Sequence, residues 1–265
     1  MAISKVQNPT VRYVRSLSRS SVRYSERAYL IEGVRLVLEA MRTDQPVRLI
    51  LYAPDVLSRS DTGSVLLPQL SSWSDRLYEV EEHVFRAAAQ TQTPSGVLAV
   101  LALPQHPPLS SHAAARFGVL LDAVSDPGNA GTILRSALAF GADYAVACPD
   151  TADPFAPKVV RAGMGAHFCL PVYSRLSWDE IARSLEGVTL VAASPSGDQA
   201  VQTFAWPDRT VLVIGSEAAG LSESARSRVS ATVRIPIAAG VESLNAAVAA
   251  SILLFAGPGQ LIHGD

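Results

Sequence analysis

Charge is scarce in this chain. Only 17% of its 265 residues are charged, and 22 basic side chains against 24 acidic ones leave a formal net charge of -2. That balance excludes a protein that grips nucleic acid with its whole surface; any such contact must come from a local patch. Disorder is excluded as well, because 48% hydrophobic residues supply a real core. Cysteine is nearly absent: Cys148 and Cys169 are the two in the chain, both in apolar surroundings. With no apolar signal core near the N-terminus, reduced, buried thiols are expected rather than a disulfide. The five histidines, His83, His106, His112, His167 and His263, are scattered, and no Cys/His cluster has metal-ligand spacing. No metal is expected. The longest apolar run, residues 246–257, is too short to span a bilayer. A soluble cytoplasmic protein with no membrane partner is therefore expected. Phosphate-loop and dinucleotide signatures are missing too. No Gly-Lys-Ser/Thr follows a glycine loop, and Gly163-Met-Gly165 lacks the third glycine.

Basic residues are few but unevenly placed. Lys5, Arg12, Arg15, Arg19, Arg23 and Arg27 lie in the first 30 residues against one acid, Glu26. Spacings of three and four put several on related faces of a helix. They form either a solvated helix face or a phosphate-contacting arm.

The clearest seam is the proline-rich stretch 103–112, which disfavours both helix and central strand. It divides the chain into residues 1–104, a linker at 105–115, and residues 116–265. In the first part, Leu30, Val34, Val37, Leu38 and Met41 have helical spacing, predicting a helix over 27–41. Strands are predicted at 47–52, 77–80 and 97–102, with a helix at 81–89, which together fit a small α/β sandwich. The second part alternates regularly. Strands are predicted at 118–124, 144–148, 189–193, 210–214 and 232–235, and helices at 129–140, 157–164, 177–185 and 244–255. Near-continuous apolar strands between helices argue a parallel sheet covered on both faces. Ligands in such sheets bind at the carboxyl ends of the strands.

Three loops stand at those ends. Asp126-Pro-Gly-Asn-Ala-Gly131 opens the helix that carries Arg135; it is either a turn with a surface arginine or a place for an anion on free backbone N–H groups. Gly215-Ser-Glu-Ala-Ala-Gly220 has Glu217 in its centre, which would repel phosphate and suits a cationic or hydroxyl-bearing ligand, unless the loop is an ordinary turn. Residues 235–245 lead into the last helix, where Ser243 or Asn245 serves as cap or as part of a site.

Taken together, these stretches resemble the SpoU family of RNA ribose methyltransferases, within the SPOUT superfamily. Asn129, Gly131 and Arg135 resemble its first motif, Gly215 to Leu221 its second, and Ile235, Pro236 and Ser243 to Asn245 its third. Ile237 replaces a usual Met and Ala130 a larger apolar residue, and neither departure removes a reactive group; residues 157–165 resemble a further segment of the family, with Gly163 in place of Ser. Asn8-Pro9, Glu32-Gly33 and Thr93-Pro-Ser-Gly96 resemble the family's substrate-binding domain, which is similar to ribosomal protein L30e. The likeness covers nearly the whole chain.

The resemblance implies an α/β fold: a C-terminal parallel-sheet trefoil knot at 116–265, preceded by a small L30e-like domain at 1–104. It implies S-adenosylmethionine as cofactor, with Gly215, Ile235 and Leu244 holding adenine and ribose and Ser194 as a further wall. Methylation of a ribose 2'-hydroxyl would rest on Arg135, with Asn129, Glu217, Ser243 and Asn245 orienting the nucleophile and one another. Because arginine stays protonated, Arg135 is better read as holding phosphate and oxyanion than as a free base. The partner would be RNA, with ribosomal RNA favoured, contacted by Arg12, Arg15, Arg19 and Arg23. A homodimer through the knot domain is implied too. Rival readings are the same chemistry on transfer RNA, a non-catalytic RNA-binding protein on this fold, and a nicotinamide-dependent oxidoreductase, against which the absent glycine fingerprint argues.

Overall fold

Runs of β-branched and aliphatic residues mark the strands, and the computed structural model describes residues 2–73 and 75–257 of the chain. His263 lies outside the described residues. Two compact units form, one from residues 1–104 with 155–168, the other from residues 105–154 with the rest.

The first unit has four strands: β1 (Ala28–Glu32), β2 (Val47–Tyr52), β3 (Leu77–Glu79) and β4 (Val97–Ala102), in the order β1-β4-β2-β3. β4 runs antiparallel to both β1 and β2, and β2 pairs parallel with β3. Successive side chains of a strand point to opposite faces. Leu30, Leu51, Leu98 and Val100 pack with Val11 and Val14 of helix Pro9–Ser16 and with Val84 and Phe85 of helix Glu82–Ala88. Tyr29 instead meets Phe155 edge-on at 5.3 Å. Residues 155–168, which the sequence reading leaves with the second part, thus belong to this unit, and helix Pro157–Gly163 packs on β1. Residues 27–41 are not one helix. Ala28–Glu32 is a fully buried strand, Gly33 breaks the chain at φ +109°, and a helix then spans Val34–Arg42. A buried five-residue strand of Tyr, Leu and Ile suits β structure more than an isolated apolar spacing suits a helix.

The second unit is a seven-stranded parallel sheet. Its strands are β5 (Phe117–Leu121), β6 (Tyr144–Ala147), β7 (Val172–Ser174), β8 (Thr189–Ala193), β9 (Gln199–Ala200), β10 (Thr210–Ile214) and β11 (Ala231–Arg234). Their order is β7-β6-β5-β10-β8-β11-β9. β5, β6 and β10 are buried along their whole length, as a sheet covered on both faces requires. The neighbours β5, β10, β8 and β11 are all parallel, so the loops leaving them crowd along one edge. β7 and β9 lie at the two margins and are too short for periodicity to reveal.

Three helices matter for that edge. Pro127–Ala139 begins with Pro at its first position, where the missing N–H costs nothing. Its N-cap is Asp126, whose Oδ1 accepts from Asn129 N–H at 2.8 Å. A carboxylate therefore already occupies the helix start where the sequence left room for an anion. Trp178–Ser184 carries a full capping box between Ser177 and Glu180. The last helix, Ala246–Ala256, is capped by Asn245 and not by Ser243. The stretch read as a linker is tied down. Leu109 is buried, Pro107 O accepts from Tyr173 Oη at 2.8 Å, and His112 Nε2 lies 3.0 Å from Tyr173 Oη. Both cysteines are free, but Cys169 is exposed, against the expectation of two buried thiols. Burial, with Asp122 nearby, pushes the Cys148 thiol up and keeps it unreactive.

Candidate active site

The edge formed by β5, β10, β8 and β11 brings three of the expected side chains into one hydrogen-bonded cluster. Asn129 Nδ2 donates to Glu217 Oε1 at 2.8 Å, and Asn245 Nδ2 donates to the same oxygen at 2.6 Å. Asn245 Nδ2 also donates to Asn129 Oδ1 at 3.0 Å, closing a triangle. Glu217 Oε1 takes a third bond, from Ala246 N–H at 3.0 Å. This puts a carboxylate at the N-terminus of the last helix, where the aligned peptide dipoles favour negative charge. Asn245 Oδ1 meanwhile accepts from Ala247 and Val248 N–H at 3.0 and 3.2 Å. One amide side chain thus caps the helix with its oxygen and holds the cluster with its nitrogen.

Arg135 does not join this cluster. It lies six residues beyond Asn129, roughly 9 Å along the helix and on a different face. Its side chain is exposed and makes no ion pair or hydrogen bond among the described residues. It is a cation held ready on the surface, beside Thr132 at i−3.

Beside the cluster opens a cavity of about 380 Å³. Ser194, Gly215, Ile235 and Leu244 all line it, and so do Glu217 and Ser243. Its apolar walls include Ile214, Val233 and Leu253, which carry no sequence signal of a site beyond the place of Ile214 beside the glycine loop. Glycine is needed at Gly215, since a Cβ there would come within 2.7 Å of the Gly220 backbone. The close approach follows from a small bridge: Ser216 N–H donates to Gly220 O, and Gly220 N–H donates back to Ser216 O, both at 2.9 Å. The opposite wall, at Ser194 and Pro195, is braced from β11. Arg234 Nη1 donates to Gly197 O at 2.7 Å, and Thr232 Oγ1 donates to Asp198 Oδ2 at 2.7 Å. The cavity volume falls within the range of small-molecule sites. Its apolar interior with a single carboxylate at the rim suits a nucleoside carrying a positive centre.

The expected RNA contacts divide. Arg12, Arg15 and Arg19 are exposed and line an open groove of about 840 Å³ with Tyr13 and Gln90. Arg23 does not belong with them. It is 2% exposed, and its Nη1 donates to Leu17 O and Ser18 O at 2.8 and 2.7 Å. It closes the end of helix Pro9–Ser16, so its guanidinium is spent on backbone carbonyls. Behind the groove, the buried Glu32 carboxylate accepts from Gln90 N–H at 2.7 Å and from the Thr91 hydroxyl. No helix among the described residues is long and apolar enough to cross a membrane. No group of three or more His, Cys, Asp or Glu side chains among them could hold a metal ion.

Two family models match the chain. The model of the SpoU rRNA Methylase family matches residues 116–255, and that of the MRM3-like substrate binding domain matches residues 8–99. The 23S rRNA (guanosine(2553)-2'-O)-methyltransferase RlmP of Bacillus subtilis (strain 168) is 32% identical over 96% of this chain and 97% of its own. The 23S rRNA (uridine(2479)-2'-O)-methyltransferase of Streptomyces viridochromogenes is 34% identical, over 89% of this chain and 84% of its own. Among solved structures, the AdoMet-bound rRNA methyltransferase from Sinorhizobium meliloti superposes with a TM-score of 0.83 at 28% identity, covering 100% of this chain and 99% of that one.

Proposed function

This chain belongs to the SpoU rRNA methylase family, and from that membership and its site we propose that it methylates a ribose 2'-hydroxyl of ribosomal RNA. The observation that carries the reading is the Asn129–Glu217–Asn245 triangle at the rim of a cavity lined by Ser194, Gly215, Ile235 and Leu244. S-Adenosylmethionine supplies a methyl group on a sulfonium centre. The apolar cavity walls would accommodate its adenosyl part, and Glu217 would give the positive centre a nearby counter-charge. Ser194, Gly215, Ile235 and Leu244 would hold the nucleoside end through backbone groups and apolar contact.

A 2'-hydroxyl is a poor nucleophile, so alignment and stabilisation of developing negative charge must supply much of the rate. Asn129, Glu217 and Asn245 fix one another, and Ser243 on the cavity rim adds a hydroxyl to orient the substrate. Arg135 stays protonated and would hold the neighbouring phosphate and the forming oxyanion. Arg12, Arg15 and Arg19 would bind the RNA backbone from the other unit.

We further propose a homodimer through the second unit. Val248, Ile252 and Phe255 are 49%, 36% and 57% exposed and lie at helical spacing on the last helix, an apolar stripe left largely open by the described residues. Val248→Asp with Phe255→Asp should convert the species seen by sedimentation from dimer to monomer; a wild-type chain sedimenting as a monomer at micromolar concentration would remove this part. The trefoil knot belongs to the same proposal, and the position of β10 between the earlier strands β5 and β8 fits it. Mapping 2'-O-methylation across total RNA with and without the gene tests the main reading. Loss of a ribosomal RNA methylation is expected. Unchanged ribosomal RNA with a loss on transfer RNA would move the substrate.

A further inference from the structure

The Asp122 carboxylate is fully buried, directly after β5, and has no role in the chemistry above. Its N–H donates to Ile214 O at 2.8 Å, extending the β5–β10 pairing by one residue. Both carboxylate oxygens are taken by one residue of the neighbouring loop. Oδ2 accepts from Ser222 N–H at 2.7 Å and Oδ1 from the Ser222 hydroxyl at 2.9 Å. The same hydroxyl accepts from Ala225 N–H at 3.1 Å and caps helix Glu223–Arg226.

The two residues stand at matching places. Asp122 is at the root of the loop that carries Asn129. Ser222 is at the foot of the loop 215–221, which walls the cavity and carries Glu217. The loops meet a second time at the Asn129–Glu217 bond. A buried carboxylate is unfavourable unless well bonded, and here a single serine supplies both bonds. After it, Ala123 takes the left-handed conformation at φ +55°. Two-point attachment at the foot and a hydrogen bond near the tip leave the glycine loop one position relative to the first loop.

We infer that Asp122 is a positioning residue for the methyl donor: through Ser222 it fixes the loop 215–221 against the Asn129 loop and so sets the cavity wall. This rests on the reading of the cavity as the S-adenosylmethionine site. The test is calorimetric titration of S-adenosylmethionine and S-adenosylhomocysteine into the full chain, well below its thermal transition. Asp122→Ala leaves Ser222 N–H and hydroxyl without their buried acceptors and should weaken both ligands about tenfold, with RNA affinity unchanged. Asp122→Asn keeps the shape, accepts from the Ser222 N–H and donates to its hydroxyl, and should stay within about threefold of wild type. If Asp122→Ala folds and binds both ligands as wild type does, the inference is wrong. If it folds with a lowered thermal transition and loses RNA affinity along with ligand affinity, the role is structural only and the inference is equally wrong. If Asp122→Ala does not fold, Ser222→Ala decides. It keeps the backbone bond, and a weakening of about threefold supports the assignment while wild-type affinity overturns it. Failure of the wild-type chain to bind either ligand would instead strike the cavity reading itself.

Discussion

Asn245 performs two separable tasks, and substitutions at this position can pull them apart. Its oxygen caps the last helix, and its nitrogen binds Glu217 and Asn129. Asn245→Ala loses both. Loss of an N-cap costs about 1 kcal/mol, and the two exposed side-chain bonds, which water can replace, add little. For a chain of this size that lowers the melting temperature by roughly 2–4 °C. Asn245→Asp keeps the cap, since Asp caps as well as Asn, and a negative charge is favourable at a helix N-terminus by about 0.3–1 kcal/mol. Its second oxygen, however, then faces Glu217 Oε1 where a donor stood 2.6 Å away. Two carboxylates about 4 Å apart repel by ~1 kcal/mol in a water-like surrounding, so the stability terms nearly cancel. The triangle nonetheless opens, and a misplacement of about 1 Å in such a site costs up to ~100-fold in rate. Thermal unfolding and methyl transfer to ribosomal RNA should therefore disagree. The alanine variant melts lower and the aspartate variant does not, yet both lose about 10–100-fold in transfer rate. An aspartate variant as active as wild type would show that Asn245 acts as a helix cap alone, and the reasoning would fail.

Further expectations concern the two units separately. Replacing Arg12, Arg15 and Arg19 together by Gln should flatten the logarithmic salt dependence of RNA binding by about 2, for three phosphate contacts on a single strand. An unchanged slope would show that the groove does not carry the RNA. Arg23→Met, by contrast, should lower thermal stability and leave that slope alone, because its guanidinium serves Leu17 and Ser18 carbonyls. Burial, with His112 nearby, holds the His106 imidazole below its ordinary pKa of 6.5. The unfolded chain then binds more protons than the folded one, so this contribution is present above pH 6.5 and is lost as pH falls through the lowered value. Amide exchange at Val172, whose N–H donates to His106 Nε2, should quicken on acidification and lose that response in His106→Leu. Exchange that ignores pH in the wild type, after correction for intrinsic rates, would count against it.

The sheet was legible because its strands are nearly pure apolar runs, and a covered parallel sheet demands that composition. The three loops were legible for a related reason. Glycine, asparagine and glutamate interrupt those runs at strand ends, and the chain brings Asn129, Glu217 and Asn245 together there. What sequence spacing cannot carry is side-chain direction across a turn. Arg12, Arg15, Arg19 and Arg23 are alike in sequence, but Arg23 turns inward because the carbonyls ending the first helix need a donor. Pairings between distant residues were equally invisible: Asp122 with Ser222, a hundred residues on, and Phe155 with Tyr29. Residues 27–41 failed for a local reason, since Leu30 fits helical spacing and a buried strand equally well until Gly33 is seen to break the chain.

If a cation on the helix of the first loop drives methyl transfer beside a cavity that binds the donor independently, Arg135→Ala separates the two. Purified wild-type and Arg135→Ala chains are assayed on ribosomal RNA with labelled S-adenosylmethionine, and donor affinity is measured in parallel. Expected are 2'-O-methylated ribose from the wild type, a loss of about 100-fold or more in the variant, and a donor affinity of the variant within about twofold of wild type. Transfer by Arg135→Ala at the wild-type rate, or a methyl group found on a base, would refute the role of Arg135.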